Sequence, residues 1–212
     1  MIIVDIETSG VVPEKTGIWQ IGAVEFENSE NTFLEECKID DEDETATESL
    51  YVCGKTEEEL RNENLQSQKE MLEKFFEWCK KVKVKNLVCQ HPQFDWTFMT
   101  FKARKYGLEV PFPVNSFDLH SVAALRFKEL KGNFDSDNNG NVIMRLVKIL
   151  EFCGIPDKRR LLDSKGRVIK EGSPHNGLED AKLEAECFSR LVYGKELLDD
   201  FSEYPIPEVL KR

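Results

Sequence analysis

No stretch of this 212-residue sequence stays apolar for the ~20 residues that a helical membrane span needs. That absence argues against a membrane-spanning helix. The opening Met1-Ile2-Ile3-Val4-Asp5 reaches an acid before the apolar segment of a signal peptide could form. The six cysteines (Cys37, Cys53, Cys79, Cys89, Cys153 and Cys187) include no C-x-x-C pair, which removes the usual zinc and dithiol motifs. Without an export signal they read as reduced, mostly buried thiols, and the expected location is cytoplasmic. Internal repeats, low-complexity tracts and linkers are also missing. With 40% apolar and 33% charged residues, the composition is that of a globular protein. One α/β domain over 1–193 is expected, with a C-terminal tail, 194–212, packed on it or extending from it.

Positive charge is scarce in one region. Residues 25–48 hold eleven acids and a single base, Lys38, and so account for nearly all of the net charge of −11. The remainder is close to neutral, so an overall acidic balance does not argue against nucleic acid. The acidic stretch Asp40-Asp41-Glu42-Asp43-Glu44 reads as a solvated loop, with a basic protein partner for residues 40–48 as the functional alternative. The opposite bias lies at 157–172, with six bases against three acids, a candidate guide for phosphates.

Hydrophobic periodicity predicts strands at 2–6, 18–26 and 32–39, joined as an antiparallel meander. A long helix is expected over 56–82, opened by a Thr56/Glu59 capping box. A strand at 86–89, a helix at 93–106, a strand at 115–117 and helices at 119–130, 142–152 and 177–193 complete the order. Such alternation after a meander predicts a mixed sheet flanked by helices.

The chemistry begins on the first strand. Asp5 and Glu7 are two residues apart, so their side chains share one face, and the apolar neighbours mark the strand as covered. Two adjacent carboxylates taken out of water need a positive partner. No base precedes Lys15, and the strand runs into the Thr8-Ser9-Gly10 turn, where a ligand could approach the backbone. A hard divalent cation with oxygen ligands suits these acids. Asp95 lies at a helix start after a strand. Asp180 lies in the first turn of the last helix, capped by Asn176, with His175 in the loop before it.

Asp5-Ile6-Glu7-Thr8-Ser9-Gly10, Phe94-Asp95, and His175 with Asp180 five positions on resemble the three motifs of the DEDD-superfamily 3′–5′ exonucleases, histidine subtype. Ile21-Gly22-Ala23-Val24 and Gly54-Lys55-Thr56 fit the same resemblance, which covers residues 1–193. It implies a ribonuclease H-like mixed five-stranded sheet. The activity it implies is removal of nucleoside monophosphates from the 3′ end of single-stranded DNA or RNA. It also implies two Mg²⁺ or Mn²⁺ ions held by Asp5, Glu7, Asp95 and Asp180. His175 would then take the proton of the attacking water, and Thr8, Ser9 and Gly10 would contact the terminal nucleotide. One departure stands out: Cys89-Gln90-His91-Pro92 replaces the usual Gly-His-Asn-Ala, which makes His91 a candidate substrate contact.

Trp19, Phe94, Trp96 and Phe98 are candidate stacking residues, Trp96 foremost among the substrate-binding set. A homodimer is a further candidate assembly. Asp135 to Val142 resembles the start of a calcium loop, but position twelve is Leu146 rather than glutamate, so a plain polar loop is expected. The competing function class is a catalytically silent exonuclease-fold binding or scaffolding module. The complete acid set with His175 favours the enzyme.

Overall fold

The computed structural model describes residues 1–163 and 166–212. Its centre is a five-stranded sheet in the order β3-β2-β1-β4-β5. The strands are β1 (Ile2–Thr8), β2 (Ile18–Glu25), β3 (Asn28–Glu36), β4 (Leu87–Cys89) and β5 (Phe117–Asp118). β1 runs antiparallel to β2 and parallel to β4, and so occupies the middle of a mixed sheet. The expected meander and mixed architecture are both present.

The α-helices among the described residues are α1 (Thr47–Cys53), α2 (Glu57–Leu60), α3 (Gln68–Lys81), α4 (Pro92–Tyr106), α5 (Leu119–Lys131), α6 (Leu146–Phe152) and α7 (Gly177–Tyr193). A small hairpin, β6 (Leu161–Leu162) and β7 (Val168–Lys170), precedes α7. The pleat of β1 separates two cores. Ile2, Val4 and Ile6 join Phe75, Phe98 and Met99 of α3 and α4 on one face. Ile3 joins Leu119, Ile149, Ala181 and Ala185 of α5, α6 and α7 on the other. The six cysteines are buried and free. Among the described residues, no helix is long and apolar enough to cross a membrane.

Three sequence expectations need correction. The single helix over 56–82 is two helices, because Ser67 and Glu70 form a second capping box beyond that of Thr56 and Glu59. The chain between them is used by its neighbour: Leu60 and Gln66 carbonyls accept the Ile39 and Lys38 amides. Helix α6 starts at Leu146 rather than 142, since residues 136–142 close on themselves through a bridge.

The acidic segment is not simply a solvated loop. Asp43 is buried, its carboxylate 2.6 Å from the equally buried Lys102 ammonium and 2.6 Å from the Gln68 amide nitrogen. Asp40 accepts hydrogen bonds from Lys105 and Tyr106. The segment therefore ties the 40s loop to α4.

Candidate active site

Three elements deliver four carboxylates to one place. β1 contributes Asp5 and Glu7, α4 contributes Asp95 in its first turn, and α7 contributes Asp180 in its first turn. Strand β1 pairs with β4 only at Ile2 and Ile3, after which the two diverge. Asp95 fills that opening and accepts the Ile6 amide at 3.2 Å. Pro92 at the first helical position and the left-handed His91 before it (φ 61°) aim α4 at β1.

The approach of α7 depends on two glycines. A Cβ on Gly22 would lie 2.0 Å from the Gly177 carbonyl carbon, and one on Gly177 would lie 2.9 Å from the Asp5 carbonyl oxygen. Gly22 is the register partner of Asp5, so the first turn of α7 lies directly over β1. Asn176 caps that turn by accepting the Leu178 and Glu179 amides. The Gln20 side chain accepts the Gly177 amide at 2.6 Å.

His175 is held by three segments. Its amide donates to the Val52 carbonyl at 3.1 Å, and Nε2 lies 2.9 Å from the Arg160 carbonyl oxygen. That carbonyl can only accept, so Nε2 carries the proton of the neutral ring. Nδ1 then presents its lone pair 3.4 Å from Asp180 Oδ2. Burial, reinforced by the Arg159 guanidinium, holds the imidazole below its usual pKa, against the pull of Asp180.

The acids are strained electrostatically. Burial pushes Glu7 up to about 8 and Asp95 up to about 7. Asp5 is raised well above the carboxylate range, by burial and then by Asp180, Glu7, Glu184 and Asp95 around it. Glu7 Oε2 accepts the Cys53 thiol at 3.1 Å, whereas the buried Oε1 has no hydrogen-bond partner. The anticipated alternative, pairing of Asp5 and Glu7 to lysine or arginine, is not found among the described residues. Among the described lysines and arginines, Arg159 alone reaches one of these four acids at ion-pair distance. It sits 3.3 Å from Asp180 while forking onto Asp157. One guanidinium cannot balance this many carboxylates, and the orphaned Glu7 oxygen in an all-oxygen set fits a hard dication. Donor atoms of Glu7, His175 and Asp180 lie within 4.8 Å of one another.

The sequence reading missed Glu184. It lies one helical turn after Asp180 on the same face of α7 and is 2% exposed. The i, i+4 spacing of two acids on a core-facing helix was the available signal.

Of the expected substrate-binding residues, Thr8 lines a cavity of about 420 Å³ beside Glu7, together with Val11, Val52, Cys53 and Phe94. His91 lines a second cavity, of about 290 Å³, with Asp5, His175, Asp180 and Glu184, and its ring lies against His120. Ser9 is a correction: fully buried, it donates to the Glu44 carbonyl and accepts the Gly17 amide, so it braces the turn. Gly10 is likewise buried, against Thr16. Trp96 is half-buried against the first core and lines neither cavity. Trp19 and Phe98 are core residues, leaving Phe94 as the aromatic that faces the site.

The described bases of residues 157–172 have partners within the chain, although Lys158, Arg167 and Lys170 are exposed. Arg159 is buried, Arg160 lies over the Tyr51 ring, Arg167 pairs with Asp163, and Lys158 reaches Tyr204; Lys165 lies outside the described residues. The calcium-like loop turns its acids inward as well. Asp135 pairs with Lys148 at 2.5 Å, and Asp137 accepts the Asn139 and Asn141 amides.

A family model described as exonuclease (RNase_T) matches residues 2–188. Solved structures share the fold at low identity. E. coli Exonuclease I in complex with a dA16 oligonucleotide superposes with a TM-score of 0.64 at 15% identity, over 92% of this chain and 40% of that one. Cell-death related nuclease 4 (CRN-4) gives 0.65 at 14%, over 92% and 64%. The nuclease domain of 3′hExo, a DEDDh family member bound to rAMP, gives 0.61 at 18%, over 98% and 95%. The chain thus spans less than two thirds of the first two. No curated protein sequence matches it significantly.

Proposed function

This chain belongs to the RNase_T exonuclease family, and from that premise we propose that it is a metal-dependent 3′–5′ exonuclease. It releases nucleoside monophosphates from single-stranded DNA or RNA. The observation that carries the reading is the buried, unpartnered Glu7 oxygen among acids from β1, α4 and α7 that a single arginine leaves undercompensated. Structural neighbours described with a dA16 oligonucleotide and with rAMP support a nucleic-acid strand as the substrate class.

Asp5, Glu7, Asp95 and Asp180 would hold two Mg²⁺ or Mn²⁺ ions. When bound, such ions supply Lewis-acid polarisation of the scissile phosphate and a more acidic water. The protein's own groups do the rest. His175, neutral near pH 7 because its pKa is lowered, accepts the proton of the attacking water at Nδ1. Asp180, 3.4 Å away, stabilises the imidazolium that results, and the Arg160 carbonyl keeps the ring from turning. The cavity beside Glu7 offers apolar walls from Val11 and Val52 and the Phe94 ring as a face for the terminal base.

The test uses 5′-labelled DNA and RNA strands incubated with Mg²⁺ or Mn²⁺, beside Asp5→Asn. The wild type should give a ladder shortening from the 3′ end, and the variant no ladder with an unchanged melting profile. Equal turnover by Asp5→Asn would refute the assignment, and the better-cut strand identifies the sugar.

A further inference from the structure

The carboxylate that no motif named is also buried without a positive partner at ion-pair distance among the described residues. Glu184 is 2% exposed and lies in the interior of α7, one turn beyond Asp180. Its Oε2 accepts the Gln90 amide at 3.2 Å. Among the described residues, no lysine, arginine or histidine reaches it at ion-pair distance; Arg159 stops at Asp180, and His175 does too. The charges that act on it most strongly are acids, with Arg159 pulling more weakly the other way. Asp95 and Asp180 push its pKa well above the usual range, second to burial, and Glu184 in turn raises Asp5.

An apolar residue would serve better here if packing were all that mattered, because Ala181 and Ala185 on the same helix are fully buried in the second core. Nor is Glu184 turned away from the site. It lines the cavity of about 290 Å³ that also holds Asp5, His175 and Asp180, whereas Glu7 lines the neighbouring cavity of about 420 Å³. Asp5 thus stands between acids that face two different spaces. The hydrogen bond to Gln90 joins Glu184 to the residue before left-handed His91, and so to the start of the helix that carries Asp95.

We infer that Glu184 is a fifth carboxylate of the cation site, acting on the side of Asp5 and Asp95 that faces away from the Glu7 cavity. The inference rests on the reading of this cluster as a dication site. It adds a negative oxygen donor, direct or through a held water, and it couples that donor to the turn that orients Asp95. Removing it lowers cation affinity without removing the fold.

The experiment titrates Mn²⁺ into the 212-residue chain and counts free ion by electron paramagnetic resonance, for wild type, Glu184→Gln, Glu184→Asp and Asp5→Asn. Glu184→Gln keeps the size of the side chain and an oxygen to accept the Gln90 amide. It should weaken Mn²⁺ binding about 10- to 100-fold, with a metal-free melting temperature equal to or above that of wild type. Glu184→Asp, which keeps the charge, should fall between the two. Wild-type affinity in Glu184→Gln, with binding lost in Asp5→Asn, overturns the inference and leaves the site intact. Unchanged binding in Asp5→Asn as well overturns the site reading itself. If Glu184→Gln melts far below wild type without metal, the side chain is a structural buttress and the inference is again wrong.

Discussion

At the scale of single residues, the site is governed by what burial does to charge. His175 has two nitrogens with different tasks, one fixed by the Arg160 carbonyl and one facing Asp180. Its replacement by alanine should lower kcat by about 10²–10⁴-fold, the usual worth of a positioned base. A near-wild-type rate in single-turnover measurements would remove it from the mechanism. The acids make a second prediction, about stability. A carboxyl whose folded pKa is raised adds stability below its unfolded pKa and loses it as pH climbs through the folded value. For Glu7 that window runs from 4.5 to about 8, and for Asp95 from 3.8 to about 7. Melting temperature in EDTA should therefore fall between pH 5 and pH 8, and Mg²⁺ should flatten the decline. Parallel pH profiles with and without Mg²⁺ would contradict this. At this scale the sequence was informative: strand alternation put Asp5 and Glu7 together, and Asn176 marked the first turn holding Asp180. It gave no sign that the Ser9 hydroxyl is spent on the turn or that Trp96 packs against the first core, because a turn hydroxyl and a helix indole look alike in either setting.

At the scale of elements, the decisive contact is the crossing of β1 and β2 by the start of α7. Gly22 and Gly177 permit it, and no side chain could be added to Gly22 without moving the helix. Gly22→Ala should cost about 1–3 kcal/mol of stability, as overpacking does, and should depress turnover further by displacing His175 and Asp180. Urea unfolding together with the strand assay checks both. Activity equal to wild type would mean that α7 can shift without harm. The acidic 40s loop is a second case. Its composition suggested solvent, yet Asp43 holds Lys102, two turns beyond Asp95 on α4, and the Glu44 carbonyl holds Ser9. A strap of acids thus braces both the turn after Glu7 and the helix of Asp95. A run of like charge carries no sign of which member turns inward, since the cation that receives it lies 59 residues away.

At the scale of the whole molecule, the second of the two cores beside β1 is closed by the chain that follows α7. Leu198 and Leu210 are buried in or beside the second core, and the Leu197 and Leu198 amides donate to Glu186. Glu186 is itself paired at 2.6 Å with Arg190, and neither side chain is exposed. Truncation after Gly194 should strip partners from a buried ion pair and uncover apolar surface. The shortened chain is expected to melt lower and to self-associate on size exclusion. An unchanged melt would make residues 195–212 an appendage rather than part of the fold.

By itself the sequence determined what is local. It set the alternation that puts Asp5 and Glu7 on one face, the period and cap of α7, and the order of elements that makes a mixed sheet with β1 inside. These follow from backbone geometry acting over a few residues. Only the tertiary structure decided which acids share a cavity, that Glu184 is one of them, that Arg159 leaves the cluster undercompensated, and that the 40s acids turn inward. Each of those depends on partners far apart in the chain, where desolvation and Coulomb repulsion act through space, and spacing along the chain carries no record of them.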